Sequence, residues 1–110
     1  TMPNLSALKT ALLTVMDEVY HFAPPQNVTG SYIVWAEDTQ GDSVWADGKM
    51  VNQSIQGTVD YFTKSENDAT VESIQDALNN GEISFRLNSI QREQETGYIH
   101  YEWVFEVEGF

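Results

Sequence analysis

Near the C-terminus, Ile99, Tyr101, Trp103, Phe105 and Val107 recur at every second position, with His100, Glu102 and Glu106 between them. Successive side chains of a β-strand point to opposite faces, so this spacing writes one apolar and one polar face into a single long strand. A chain built around such a strand must cover one face of a sheet and leave the other to water or a partner. Its remaining segments have to supply the neighbouring strands and the cover.

Two segments have helical spacing. Asn4 is a suitable N-cap ahead of Leu5, Leu8, Leu12, Val15, Met16 and Val19, which predict a helix of about four turns with one apolar stripe. Asn67 or Asp68 caps a second helix whose buried face is Val71, Ile74, Ala77 and Leu78, and Asn80-Gly81 offers the left-handed residue that stops it. Pro24-Pro25 ends a short extended piece at His21 and Phe22, and residues 26–31 read as a loop.

Strands are expected at Tyr32 to Glu37 and at Ser54 to Thr63, the latter with Ile55, Val59 and Tyr61 on one face. Ile83, Phe85 and Leu87 alternate with polar residues, and Glu95-Thr96-Gly97 turns the chain into the final strand, Tyr98 to Val107. Trp45 and Lys49 to Asn52 read as extensions of the hairpin arms between the strands at Tyr32 to Glu37 and Ser54 to Thr63, with Asp47-Gly48 as a tight-turn signal inside and the pairing left open by the sequence. The order predicts an α+β fold: a mostly antiparallel sheet of four or five strands with both helices on its apolar face. With 110 residues and neither linker nor internal repeat, residues 1–110 are expected to form a single domain burying about two thirds of its unfolded surface.

Seventeen acids against five bases give a net charge of -12, which disfavours nucleic acid and anionic membranes as direct partners. The acids are spread along the chain, as on a solvated surface; an acidic DNA mimic is the sharper alternative. Hydrophobic residues make up 41%, ample for a core despite that charge. The absence of cysteine excludes disulfides, thiolate metal sites and cysteine nucleophiles, and fits a reducing cytoplasm. No apolar stretch approaches the roughly 20 residues that span a bilayer, and the start lacks the features of a signal peptide. Thr1 ahead of Met2 reads as a non-native residue, with native numbering starting at Met2.

Candidate chemistry gathers in "EDTQGDSVWADGK", where Asp38, Asp42 and Asp47 surround two glycines. As an EF-hand loop starting at Asp38 it fails at Ser43, where Gly is needed, and at Lys49, where a bidentate Glu belongs, which leaves a looser calcium site from Asp38, Asp42 and Asp47 as the alternative to a solvated loop tip. As a nucleophile elbow, Gly41-x-Ser43 is followed by Trp45 instead of Gly, and no helix follows. The only histidines, His21 and His100, sit in no catalytic motif. Glu102 and Glu106 share a strand face but lie about 13 Å apart by strand rise, too far for a glycosidase pair. No phosphate-binding glycine loop is present, and Lys9, Lys49, Lys64, Arg86 and Arg92 form no basic stretch. The expectation is therefore no catalytic residue, no cofactor, no metal and no enzyme activity. Trp35, Trp45, Tyr61, Phe62, Tyr98 and Trp103 are an unusually rich aromatic set, of a kind enriched at interfaces. Trp35, Asp38, Asp42, Trp45, Glu102 and Glu106 are the candidate interface residues.

The layout resembles the tail terminator, or tail completion, proteins of long-tailed bacteriophages and prophages. The start "NLSALKTALLTVMDEVYHF" is similar to the opening helix and short strand of that family, and a Pro-rich link and the strand "YIVW" follow. "WADGKMVNQSIQGTVDYFTK" resembles its Ala-Asp pair, polar connection and long strand ending in an aromatic-Thr-Lys step, before the "VESIQDAL" helix. The resemblance covers nearly the whole chain through degenerate motifs; Glu37 to Ser43 is more acidic than the pattern, and Glu106 to Phe110 carries no diagnostic residue.

The resemblance implies a structural subunit without catalytic residues. It would form a ring, a hexamer, at the head-proximal end of the tail tube, where it stops tube growth and meets the head connector proteins. The implied location is the virion, after assembly in the host bacterial cytoplasm. The partners would be other copies of this chain, the tube protein and the connector, with an acidic face toward the channel. An acidic inhibitor that captures a basic protein is the alternative.

Overall fold

A computed structural model describes residues 3–109. Thr1, Met2 and Phe110 lie outside the described residues, and with them the expectation about Thr1. The elements in chain order are α1 (Ser6–Leu13), β1 (Val19–His21), β2 (Tyr32–Gln40), β3 (Val44–Ala46), β4 (Lys49–Asn52), β5 (Ser54–Thr63), α2 (Thr70–Asn80), β6 (Ser84–Arg92) and β7 (Ile99–Glu108). Five strands form one sheet in the order β1-β2-β5-β7-β6, while β3 and β4 make a separate two-stranded hairpin. Only β1 runs parallel to its neighbour, so the sheet is mixed but mostly antiparallel, in agreement with the α+β expectation.

The alternation in β7 works as read. Ile99, Trp103 and Phe105 are buried, and β5 pairs with β7 along its full length from Ser54↔Glu108 to Thr63↔Ile99. That register puts Val59 and Tyr61 on the same face as Trp103, and β2 adds Ile33 and Trp35. Leu8 and Leu12 of α1 and Ile74 and Leu78 of α2 close the core over this face. Trp103 is fully buried with its one polar atom satisfied, Nε1 donating to Gln75 Oε1 on α2 at 3.0 Å.

The first helix is shorter than its periodicity predicts. It stops at Leu13, and Val19, assigned to its stripe, lies in β1 opposite Ile33. Thr14 starts the exit, its hydroxyl donating to the Ala11 carbonyl in competition with the next helical turn. Val15 and Met16 still pack on the core, which is why they kept the helical spacing without the helix. Asn4 is near the cap but not at it: Leu5 is the N-cap residue, and Asn4 Oδ1 accepts from the Ser6 amide. The second helix also ends differently. Gly81 has φ -82°, and the left-handed residue is Glu82 at φ 58°.

Asp68 enters α2 as a polar anchor for β5. Its carboxylate accepts from Tyr61 Oη at 2.6 Å, Thr63 Oγ1 at 2.7 Å and the Thr70 amide at 2.9 Å. Burial by itself pushes this carboxyl up, but the hydrogen bonds from Tyr61, Thr70 and Thr63 outweigh it and hold it below the ordinary aspartate range. A depressed folded pKa means stability that is present above the unfolded value and lost as pH falls through the folded one. Gly57 has a steric role at the β2 bulge between Glu37 and Thr39, where an added Cβ would overlap the Ala36 carbonyl oxygen and sit 2.7 Å from Glu37 Cα.

Two outcomes follow for urea denaturation. Asp68→Ala should cost about 1–3 kcal/mol at neutral pH, with the gap to wild type narrowing as the pH drops below about 4. Gly57→Ala should cost about 1–3 kcal/mol by overpacking at a backbone contact that has no side chain to yield.

Candidate functional site

The segment with the densest candidate chemistry is a hairpin that continues beyond the end of the main sheet. β2 ends at Gln40 and β5 begins at Ser54; between them β3 and β4 pair around Asp47 (φ 52°) and Gly48 (φ 74°), the two positive values of a tight hairpin turn. All of β3 is exposed, with Val44 at 50% and Trp45 at 59%. Trp45 thus holds a large aromatic side chain open to solvent on a short hairpin.

Glu106 pins the base of the hairpin. Its Oε1 accepts from the Asp42 amide and from Ser54 Oγ, each at 2.6 Å, while Ser43 Oγ accepts from the Ser54 amide at 3.1 Å. Gly41 makes room for this: a Cβ there would collide with the Glu106 carboxylate. The Gly41-x-Ser43 pattern that mimics a nucleophile elbow is thus the hairpin's lower joint. Asp38 lies exposed on the bulged part of β2, Asp42 at the joint and Asp47 at the tip, and these three are not gathered into a metal-sized cluster among the described residues.

The six candidate interface residues separate into different roles. Trp35 is 5% exposed and belongs to the core, so it is not part of a contact surface with Trp45. The inward parity of β2 puts it there, where its ring stacks on His21 at 3.9 Å and His21 in turn meets Glu37 Oε1 at 2.6 Å. Asp38, Asp42 and Trp45 are exposed. Glu102 and Glu106 do share the sheet face away from the helices, but both are engaged, Glu102 by Asn88 Nδ2 at 2.9 Å and Glu106 by the hairpin.

That open face holds a group which sequence reading missed. His100 Nε2 lies 2.6 Å from Asp60 Oδ1, and Glu102 joins them, with one potential ligand atom of each residue within 4.8 Å of the others. The Asp60 hydrogen bond raises the imidazole's pKa, against an opposing push from burial, and the Asp60 and Glu102 charges add to the rise. A raised histidine pKa contributes stability that is complete below the unfolded value near 6.5 and fades as pH rises through the folded one. Phe62 stacks on His100 at 4.2 Å and on Tyr32 at 4.7 Å, with Tyr98 edge-on to Tyr32 and Phe62, so an aromatic row borders the charged group. His100 and Glu102 were legible as one strand face; Asp60 joins them through the β5–β7 register, which no local pattern encodes.

Trp45 and Trp35 give opposite results on truncation. Trp45→Ala should leave stability within about 0.5 kcal/mol, whereas Trp35→Ala should cost about 3–5 kcal/mol, both read by urea denaturation.

No protein-family profile matches the chain, and no curated protein sequence matches it. Among solved structures, the fold is similar to a chain described as "Virion of native gene transfer agent (GTA) particle", with a TM-score of 0.62 and 17% identity over 97% of this chain and 96% of that one. The likeness spans essentially the full length of both chains, so the α+β arrangement is a shared fold.

Proposed function

We propose that this protein is a non-enzymatic virion assembly subunit of the tail-terminator type. In this reading, copies close into a ring, a hexamer, at the head-proximal end of a tail tube and join it to the head connector. The observation that carries the reading is the full-length likeness of fold to a chain from a gene transfer agent virion, joined to the resemblance of "WADGKMVNQSIQGTVDYFTK" to the terminator pattern.

The surface supports it physically. A head-to-tail ring needs two different patches on each subunit. The hairpin offers one, with Val44 and Trp45 exposed beside Asp42 and Asp47. β6 offers the other: it is an edge strand of the sheet, with Leu87 at 42% and Ile90 at 57% exposed, and it carries Arg86 and Arg92. Arg92 is already paired with Glu66 Oε1 at 2.7 Å, so Arg86 would be the cation that aligns the acidic hairpin of a neighbour, and the apolar groups would supply the burial. The net charge of -12 would let DNA pass a ring channel without sticking. The same charge favours a second reading, an acidic inhibitor that captures a basic protein.

Native mass spectrometry and negative-stain microscopy of concentrated protein, alone and with tail tubes, separate the two. The terminator reading expects closed rings or capped tubes, lost in Trp45→Glu while the melting temperature stays unchanged. It also expects tails of uncontrolled length when the gene is removed from a particle-producing host. A chain that stays monomeric with tubes and instead retains a DNA-binding protein would establish the inhibitor.

A further inference from the structure

We propose that Asp60, His100 and Glu102 form a binding site for a first-row divalent cation of the Zn²⁺ type on the open face of the sheet. The site is independent of the ring reading and rests on four features of the β5–β7 pair.

The first is register. Asp60 and Glu102 are directly opposite each other across the two strands, and His100 lies two residues before Glu102 on the same face. Like charges placed directly opposite in a sheet repel, so a positive centre between them removes a cost that the backbone pairing imposes. The second is the donor set. One imidazole nitrogen and two carboxylate oxygens suit a borderline transition-metal ion, whereas Ca²⁺ and Mg²⁺ prefer all-oxygen shells.

The third is orientation from outside the set. Asn88 Nδ2 donates to Glu102 Oε1 at 2.9 Å, and the Phe62 ring stacks on the imidazole at 4.2 Å, so two of the three ligands are steered by residues that would not touch the ion. The fourth is spacing and shelter. Around a tetrahedral ion with bonds of ~2.0–2.1 Å, ligand atoms sit ~3.3–3.4 Å apart. The His100–Asp60 pair, at 2.6 Å, would open by less than about 1 Å, and Glu102, within 4.8 Å, would close in. The His100 and Asp60 side chains are 19% and 14% exposed, which limits competition from water while leaving the outer side open. Three protein ligands leave a fourth position for a water molecule or for a side chain of a docked partner.

The test uses the full chain, stripped with a chelator and titrated at one slightly alkaline pH with Zn²⁺, Mg²⁺ and Ca²⁺ by calorimetry. Equimolar saturable Zn²⁺ binding is expected, weakened at least about tenfold in His100→Gln and to a lesser degree in Asn88→Ala, and unchanged in Asp47→Asn. In the wild type, Co²⁺ should develop the visible absorption of a low-coordinate nitrogen-oxygen site. Zn²⁺ should shift the imidazole nitrogen resonances of His100 and not those of His21, the chain's other histidine. These wild-type readings decide the matter if His100→Gln fails to fold. Zn²⁺ uptake that is weak, shared equally with Ca²⁺, indifferent to His100→Gln or centred on His21 would overturn the proposal as adsorption to an acidic surface.

Discussion

The rest of the structure depends on the ladder between β5 and β7. It aligns every residue from Ser54 to Thr63 with one from Glu108 to Ile99 and sets the two faces of the sheet at once. On the inner face it juxtaposes Val59 with Trp103 and Gly57 with Phe105, the centre on which both helices settle. On the outer face it places Asp60 against Glu102, and it brings Glu106 within reach of Ser54. A slip by one residue would reverse every one of these assignments, because side chains alternate with period two.

Fully burying side chains such as Trp103 and Phe105 contributes on the order of 1.5–3 kcal/mol each, which makes the inner face the source of stability. The outer face is organised by polar contacts. Its acids are not a uniform negative sheet: Asp60 meets His100, Glu102 meets Asn88, and Glu106 holds the hairpin joint. With a net charge of -12, such pairing of carboxylates is how the sheet tolerates so many acids on one surface. The face therefore carries shaped, directional polar groups, and the hairpin with Trp45 exposes apolar area separately.

Much of the fold is legible in the residues. The period-two pattern of β7, the full span of β5 and the Asp47-Gly48 turn all appear as read, because each follows from backbone geometry over a few neighbouring residues. The long first helix is the instructive exception. Val15, Met16 and Val19 carry helical spacing, but spacing reports which residues are buried and not which backbone buries them; the pairing of Val19 with Ile33 outweighs helical continuation. Trp35 fails as an interface residue for a related reason. Its exposure depends on the parity of β2 and on whether helices or water cover that face, and neither is a local property.

By itself, then, the sequence determined the type of most elements, the α+β class, the buried set on β5 and β7, and the failure of the acidic loop as an EF-hand or a nucleophile elbow, since each is a matter of residue identity at short spacing. Only the tertiary structure decided that Gly41 and Ser43 build a hairpin joint around Glu106, and that Asp60 converges with His100 and Glu102. Those arrangements join residues far apart in the chain through strand register. Register is set by the summed burial of a whole face, so no single residue announces it.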